Sequence, residues 1–274
     1  MISILFILLA LTNGFRALNK PIVTNSVWKF VNDKNTKIIS RKSGKIFDNQ
    51  NINEFYKSYD SERLIILTPG GLNGFYMLGT IKYIAQKYKL DRYIYSGASA
   101  GAWNALLMSY KYDKVSVIEN ILLDKTIFNN VNTLSNTQYS IKQHLLHNYE
   151  TSQFNFSKLF IGVTQYKDCK FHTNIYTDFV DLEDAVDCCI ASSHIPFITN
   201  GFIQRYLNTI SFDGGFSVNP YIKKDIFLTI KPDIWNKNRN IILRPKNINV
   251  TELYENGYYD SAEHADELDD KFNA

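Results

Sequence analysis

Short apolar runs of strand length alternate along this chain with longer stretches of helical spacing. Arg63-Leu64-Ile65-Ile66-Leu67 reads as a buried strand, and it opens into the turn-forming Thr68-Pro69-Gly70-Gly71-Leu72-Asn73-Gly74. Leu78, Ile81, Ala85 and Tyr88 then recur three or four positions apart and predict the inner face of a helix. Tyr93-Ile94-Tyr95 predicts a second strand, and the run Ala102 to Met108 that follows a small-residue turn predicts a second helix. Farther on, 141–149 reads as helix, whereas Phe171 to Tyr176 and Thr209-Ile210-Ser211-Phe212 read as strands. This alternation predicts an α/β domain, a sheet flanked by helices.

Composition supports one core and narrows the partners. The chain has 274 residues, 45% hydrophobic and 21% charged, with neither an internal repeat nor a long low-complexity run. A net charge of +3 is no nucleic-acid signature. Charge is instead polarised along the chain: Lys20, Lys29, Lys34, Lys37, Arg41, Lys42 and Lys45 make residues 15–62 a basic extension, and 260–274 reads as an acidic, solvated helix or tail. The catalytic domain is expected between them, over 63–259. Trp28, Phe30 and Phe47 among those lysines suit peripheral contact with a membrane surface, and a solvated extension loosely packed on the domain fits equally well. Ahead of them, 2–11 is a nearly unbroken apolar run, long enough for a signal-peptide core and too short to span a bilayer. Thr12 and Gly14 are small residues suited to cleavage after Gly14, so 1–14 is expected to be a signal peptide that sends the protein to the secretory pathway or outside the cell. An uncleaved membrane anchor and a buried segment are the other readings.

Two glycine-flanked motifs carry the chemistry. Gly97-Ala98-Ser99-Ala100-Gly101 lies between a predicted strand and a predicted helix, the arrangement of a nucleophile elbow, which aims a serine hydroxyl away from the sheet beside the helix's amide end. A serine needs a base to take its proton, and the carboxylate of Asp213-Gly214-Gly215, after a predicted strand, can supply one. Backbone amides of the side-chain-free Gly70 and Gly71 suit an oxyanion hole. Other readings are a Ser99 that only caps its helix, an Asp213 in an ordinary turn, and a phosphate cradle at Gly70-Gly71. No G-x-x-x-x-G-K-[ST] or G-x-G-x-x-G supports the cradle. Ser99, Asp213 and His264 also follow the chain order of a hydrolase triad, although His264 sits in the acidic stretch.

Together these segments resemble the patatin-like phospholipases. The likeness is carried by Pro69 to Gly74 as a glycine-rich oxyanion loop, by Gly97 to Gly101, by Ala191-Ser192-Ser193-His194-Ile195-Pro196-Phe197, and by Asp213-Gly214-Gly215-Phe216-Ser217-Val218-Asn219-Pro220. It runs from Arg63 to Pro220, with a looser echo at Leu253 to Tyr258. The resemblance implies a three-layer fold with a central, mostly parallel sheet. It also implies a lipid acyl hydrolase in which Ser99 attacks an ester carbonyl and Asp213 serves as base, with no histidine, metal or cofactor. Gly70 and Gly71 would donate to the oxyanion, supported by Gly74, Gly97, Gly101, Gly214 and Gly215. Pro69 stands where the family has its first glycine and lacks an N–H, and Asn73 stands where the family has Arg or Lys. An acyltransferase using the same acyl-serine, or a weakly catalytic lipid-binding member, would share these motifs.

The remaining sulfur and imidazole groups predict less. Cys169, Cys188 and Cys189 are read as buried apolar thiols, with one disulfide from Cys169 or a Cys/His metal site with His172 as alternatives. His194 reads as a packing or access variation near the site. The stretch 115–149 is the candidate wall of an acyl channel.

Overall fold

The apolar runs at 63–67 and 93–97 become neighbouring parallel strands of the sheet. The structure, a computed structural model, describes residues 29, 31–32, 36–124, 127, 134–199, 201–235 and 249–273. Its strands are β1 (Lys37–Ser40), β2 (Ile46–Phe47), β3 (Arg63–Leu67), β4 (Tyr93–Gly97), β5 (Leu159–Lys167), β6 (Lys170–Thr177), β7 (Gln204–Tyr206), β8 (Thr209–Phe212) and β9 (Ile226–Ile230). The helices are α1 (Ile52–Lys57), α2 (Gly74–Lys87), α3 (Ala100–Met108), α4 (Lys114–Leu123), α5 (Leu134–Asn148), α6 (Leu182–Ser192), α7 (Val250–Glu263) and α8 (Ala265–Phe272). The expected signal segment lies outside the described residues, as do Trp28, Phe30 and most of the basic stretch before Thr36. Among the described residues no helix is long and apolar enough to cross a membrane.

The sheet runs β2-β1-β6-β5-β4-β3-β9, and helices cover it on both sides. β9, β3, β4 and the first residues of β5 are parallel, as are β1 and β6; the β5–β6 hairpin is the antiparallel step between them. The far half of β5 also pairs with β8, which returns antiparallel to β7. This long strand thereby links the parallel centre to the hairpin that precedes Asp213.

Alternation within the apolar runs explains why both faces are buried. Ile65, Leu67, Tyr93, Tyr95, Leu159 and Ile161 point into the larger core beneath α2, α3 and α6, while Leu64, Ile66, Ile94 and Phe160 face the smaller one. That second core needs a cover. Ile38 of β1, Phe55 of α1 and the rings of Tyr56 and Tyr59 provide it, with Phe55 and Tyr59 edge-on to Phe160. The described part of the basic extension is therefore built into the sheet, contrary to the loose packing expected of it. Without it the Leu64, Ile66 and Phe160 face would lie open to water.

The C-terminal acidic stretch needs the same correction. Residue 259 is no boundary, since α7 continues to Glu263 and packs along α2, where Gly79 and Gly257 each admit the other helix's backbone. In α8, Leu268 is buried and Phe272 stacks on Tyr88 with ring centroids 4.1 Å apart. Two acids of the stretch are put to use internally, as Asp260 accepts from the Tyr76 hydroxyl and Asp269 from that of Tyr88.

Candidate active site

Between the last residue of β4 and the first of α3 only Ala98 and Ser99 intervene, so the chain reverses within two residues. Ser99 takes φ 56 and ψ −128, a backbone region that costs a non-glycine residue on the order of 1–3 kcal/mol. Neighbouring groups hold it there. The Ser99 N–H donates to Ser192 Oγ at 2.9 Å, and that hydroxyl donates to the carbonyl of Gly162 at 2.7 Å. A Cβ on Gly97 would collide with the carbonyl of Gly101, and one on Gly101 with the carbonyl of Leu67, so the elbow closes only with glycine at both positions.

The carboxylate arrives from the other side of the sheet's centre. β8 carries the chain to Asp213, whose N–H donates to the carbonyl of His194 at 2.7 Å and whose Oδ1 accepts the Gly215 N–H at 2.7 Å. Its Oδ2 then accepts the Ser99 hydroxyl at 2.6 Å across a sequence separation of 114 residues. Ser99 is 5% exposed and Asp213 3%. Burial disfavours the charged carboxylate and raises its pKa to about 7, against the opposing hydrogen bonds from Ser99 and Gly215. The acid thus titrates near neutrality while already bonded to the hydroxyl.

Two cavities meet at Ser99, and one of them also reaches Asp213. One is walled by Phe75, Leu78, Trp103, Leu107, Ile121 and Ile141. The other presents Lys29, Thr68, Asp213, Tyr221, Lys231 and Asp233. Ser99, Gly71 and Ile195 line both. The 115–149 stretch does contribute walls to the apolar cavity, through Ile121 of α4 and Leu134, Thr137, Gln138 and Ile141 of α5.

The predicted glycines have distinct positions. Gly70 and Gly71 face the polar groove, and Gly71 has φ +55, a left-handed value that favours glycine. Gly74 starts α2 within reach of Ala100, and Asn104 of α3 donates to its carbonyl at 3.1 Å. Gly214 abuts Gly162 and Ala98, whereas Gly215 borders the groove. Asn73 is buried at the entrance of α2 and lines neither cavity.

His264 is not a third member. Its ring stacks on Trp235 at 4.5 Å and its Nδ1 bonds the carbonyl of Asp260. His194 is near the site only through its carbonyl: its ring is buried beside Phe212, Nδ1 meets Thr199 Oγ1 at 3.1 Å, and burial lowers its pKa. Cys169 is exposed in the β5–β6 turn, correcting the expectation of a buried thiol, while Cys188 and Cys189 are buried in α6, where desolvation raises both thiol pKa values. All three are free. No cluster of three His, Cys, Asp or Glu suited to a metal occurs among the described residues.

Sequence reasoning missed two neighbours of the dyad. Ser192 braces the elbow amide, and it lies inside the Ala191 to Phe197 segment that was noticed without a role. Tyr221 lines the polar groove, its phenol pKa raised by burial and then by the charge of Asp213. The tyrosine follows Pro220, one position beyond the aspartate motif.

A serine hydroxyl bonded to a buried carboxylate at a strand-to-helix elbow defines a Ser/Asp site on an α/β sheet. A family model described as patatin-like phospholipase matches residues 65–223, more than half of the chain. The chain belongs to that family. Among solved structures it is similar to the heterodimeric ExoU-SpcU complex from the type III secretion system of Pseudomonas aeruginosa, with 14% identity and a TM-score of 0.40 over 78% of this chain and 52% of that one. It is also similar to VipD from Legionella pneumophila, with 13% identity and a TM-score of 0.35 over 74% of this chain and 52% of that one. The chain thus spans about half the length of both. A search of curated proteins finds no match.

Proposed function

We propose that this chain is a lipid acyl hydrolase that cleaves carboxylic esters of phospholipids or related lipids through an acyl-Ser99 intermediate. The observation that carries the reading is the 2.6 Å Ser99–Asp213 hydrogen bond at the junction of an apolar cavity and a polar groove. In the first half-reaction Asp213 Oδ2 takes the hydroxyl proton as Ser99 Oγ attacks the ester carbonyl carbon. The N-terminus of α3 behind Ser99 favours the charge that develops, and the amides of Gly70 and Gly71 are the assigned donors to the oxyanion. Collapse of the tetrahedral intermediate breaks the ester C–O bond, and Asp213 returns the proton to the departing alcohol. Water entering by the polar groove repeats the sequence, giving its proton to Asp213 and releasing fatty acid and free Ser99. The acyl chain occupies the apolar cavity, so that the head group or alcohol faces Lys231 and Tyr221.

A fluorophosphonate probe tests the nucleophile. Labelling mapped to Ser99 and release of fatty acid from a phospholipid are expected of the wild type, and both are lost in Ser99→Ala. Labelling at another residue, or unchanged hydrolysis in Ser99→Ala, overturns the assignment.

A further inference from the structure

We propose that the loop with segments 195–199 and 201–203 docks the protein on a phospholipid bilayer and sets the mouth of the apolar cavity against the leaflet. Its inner side belongs to the site: Ile195 lines both cavities and Thr199 lines the apolar one. Its outer side presents Phe197 at 57% and Ile203 at 51% exposure, and the rings of Phe197 and Phe202 lie 5.3 Å apart. Apolar side chains of this size are costly to leave in water, and a cluster of them marks an interaction surface more reliably than a single one.

The loop is held in this presentation. Phe197 has φ 65, a left-handed value that strains a bulky residue, and its N–H donates to the Gly201 carbonyl at 2.7 Å. The amides of Ile198 and Thr199 both donate to the carbonyl of Ile195 at 3.0 Å, and Thr199 Oγ1 accepts the Ile195 N–H at 3.0 Å. His194, next in line, carries the carbonyl that fixes the Asp213 amide. Displaying aromatic rings and framing the carboxylate are tasks of one short segment.

Charge favours a lipid surface as the occupant. No Asp or Glu lies between Asp187 and Asp213, Arg205 stands two positions after Ile203, and Lys29 lines the adjoining groove, where Lys231 pairs with Asp233. Apolar side chains that enter the acyl boundary beside cations that meet anionic head groups form the usual pattern of interfacial binding. The proposal rests on the lipid-ester reading of the site, since a bilayer is where such a substrate resides and the loop borders the cavity that takes its chain.

The test uses the full chain carrying Ser99→Ala, mixed with phosphatidylcholine vesicles with and without phosphatidylserine. Adding Phe197→Ser and Ile203→Ser is expected to lower vesicle partitioning at least about tenfold, from the apolar area withdrawn. In the Ser99 enzyme the same pair leaves kcat/KM on a monomeric short-chain ester within about twofold, since neither side chain lines a cavity. Tyr259→Ser, an exposed aromatic on α7, leaves partitioning unchanged. A Phe197→Trp variant keeps an apolar ring and is expected to gain blue-shifted emission over the parent when vesicles are added. Unchanged partitioning of the double variant, or no emission shift, overturns the proposal. So does loss of self-association or of a protein complex in place of vesicle binding. If the double variant loses partitioning but the Ser99 enzyme hydrolyses no ester, docking stands and the catalytic reading falls.

Discussion

The two cavities that meet at Ser99 differ in what lines them, the second carrying charged groups that the first lacks. One is walled by Leu78, Trp103, Leu107 and Ile141 from helices α2, α3 and α5, the other by Lys29, Asp213, Tyr221 and Lys231 from loops at the strand ends. Helices supply apolar walls because their inner faces already belong to the core. Loops carry polar groups because their backbones need partners and water. A reacting ester held between the two has its chain and its head group sorted by the architecture before any side chain selects among substrates.

The largest effect is expected from removing the hydroxyl that both cavities share or the carboxylate bonded to it. Ser99→Ala and Asp213→Asn should each lower kcat by about 10³-fold or more while an apolar dye still binds the helical cavity. Titration comes next. With Asp213 as the proposed base and its pKa raised to about 7, kcat/KM should rise about tenfold per pH unit below that value and level off above it. A flat profile from pH 5 to 9 contradicts a buried carboxylate base. Filling the apolar side alone, with Ile141→Trp, should cost about 10- to 100-fold on long-chain esters and about twofold or less on acetyl esters. Equal losses on both would erase the distinction between the cavities. On the polar side, Lys231→Glu is expected to slow hydrolysis of anionic phospholipids about threefold, with the difference fading in high salt because the lysine is partly exposed and already pairs with Asp233 at 3.6 Å.

The smallest effect concerns stability. The Asp213 carboxyl shifts from 3.8 to about 7 on folding, so the fold favours its protonated form. The stabilisation is complete below the unfolded value and is lost as pH climbs to about 7, leaving a buried charge at higher pH. Asp213→Asn removes that charge and should raise Tm at pH 8, by about 2–4 °C for each kcal/mol relieved. A lower Tm in calorimetry contradicts this account.

The elbow and its carboxylate were legible because glycine is dictated by steric contact, and contact of that kind leaves a mark in a single sequence. Gly97, Gly101 and Gly214 are fixed by backbone atoms of neighbouring strands and turns, and the strands around them are unbroken apolar runs. Ser192 was not legible as the brace of Ser99, since a serine at the end of an amphipathic helix looks like any other. The His194 carbonyl that holds Asp213 could not be read at all, because a backbone group is common to every residue type. The roles of β1 and α1 were hidden by composition. The basic residues Lys37, Arg41, Lys42 and Lys45 dominate the stretch, while Ile38 and Phe55, too sparse to form a run, join the second core of the sheet. In α8 acidic residues likewise obscured Leu268 and Phe272, whose spacing of four matches one side of a helix.

Cys169 stands in the turn between β5 and β6, accessible to solvent, whereas Cys188 and Cys189 are sealed inside α6. A maleimide dye therefore has one point of attachment on the native protein. It lies on the hairpin whose first strand pairs with β8, the strand that leads into Asp213, and needs no engineered residue.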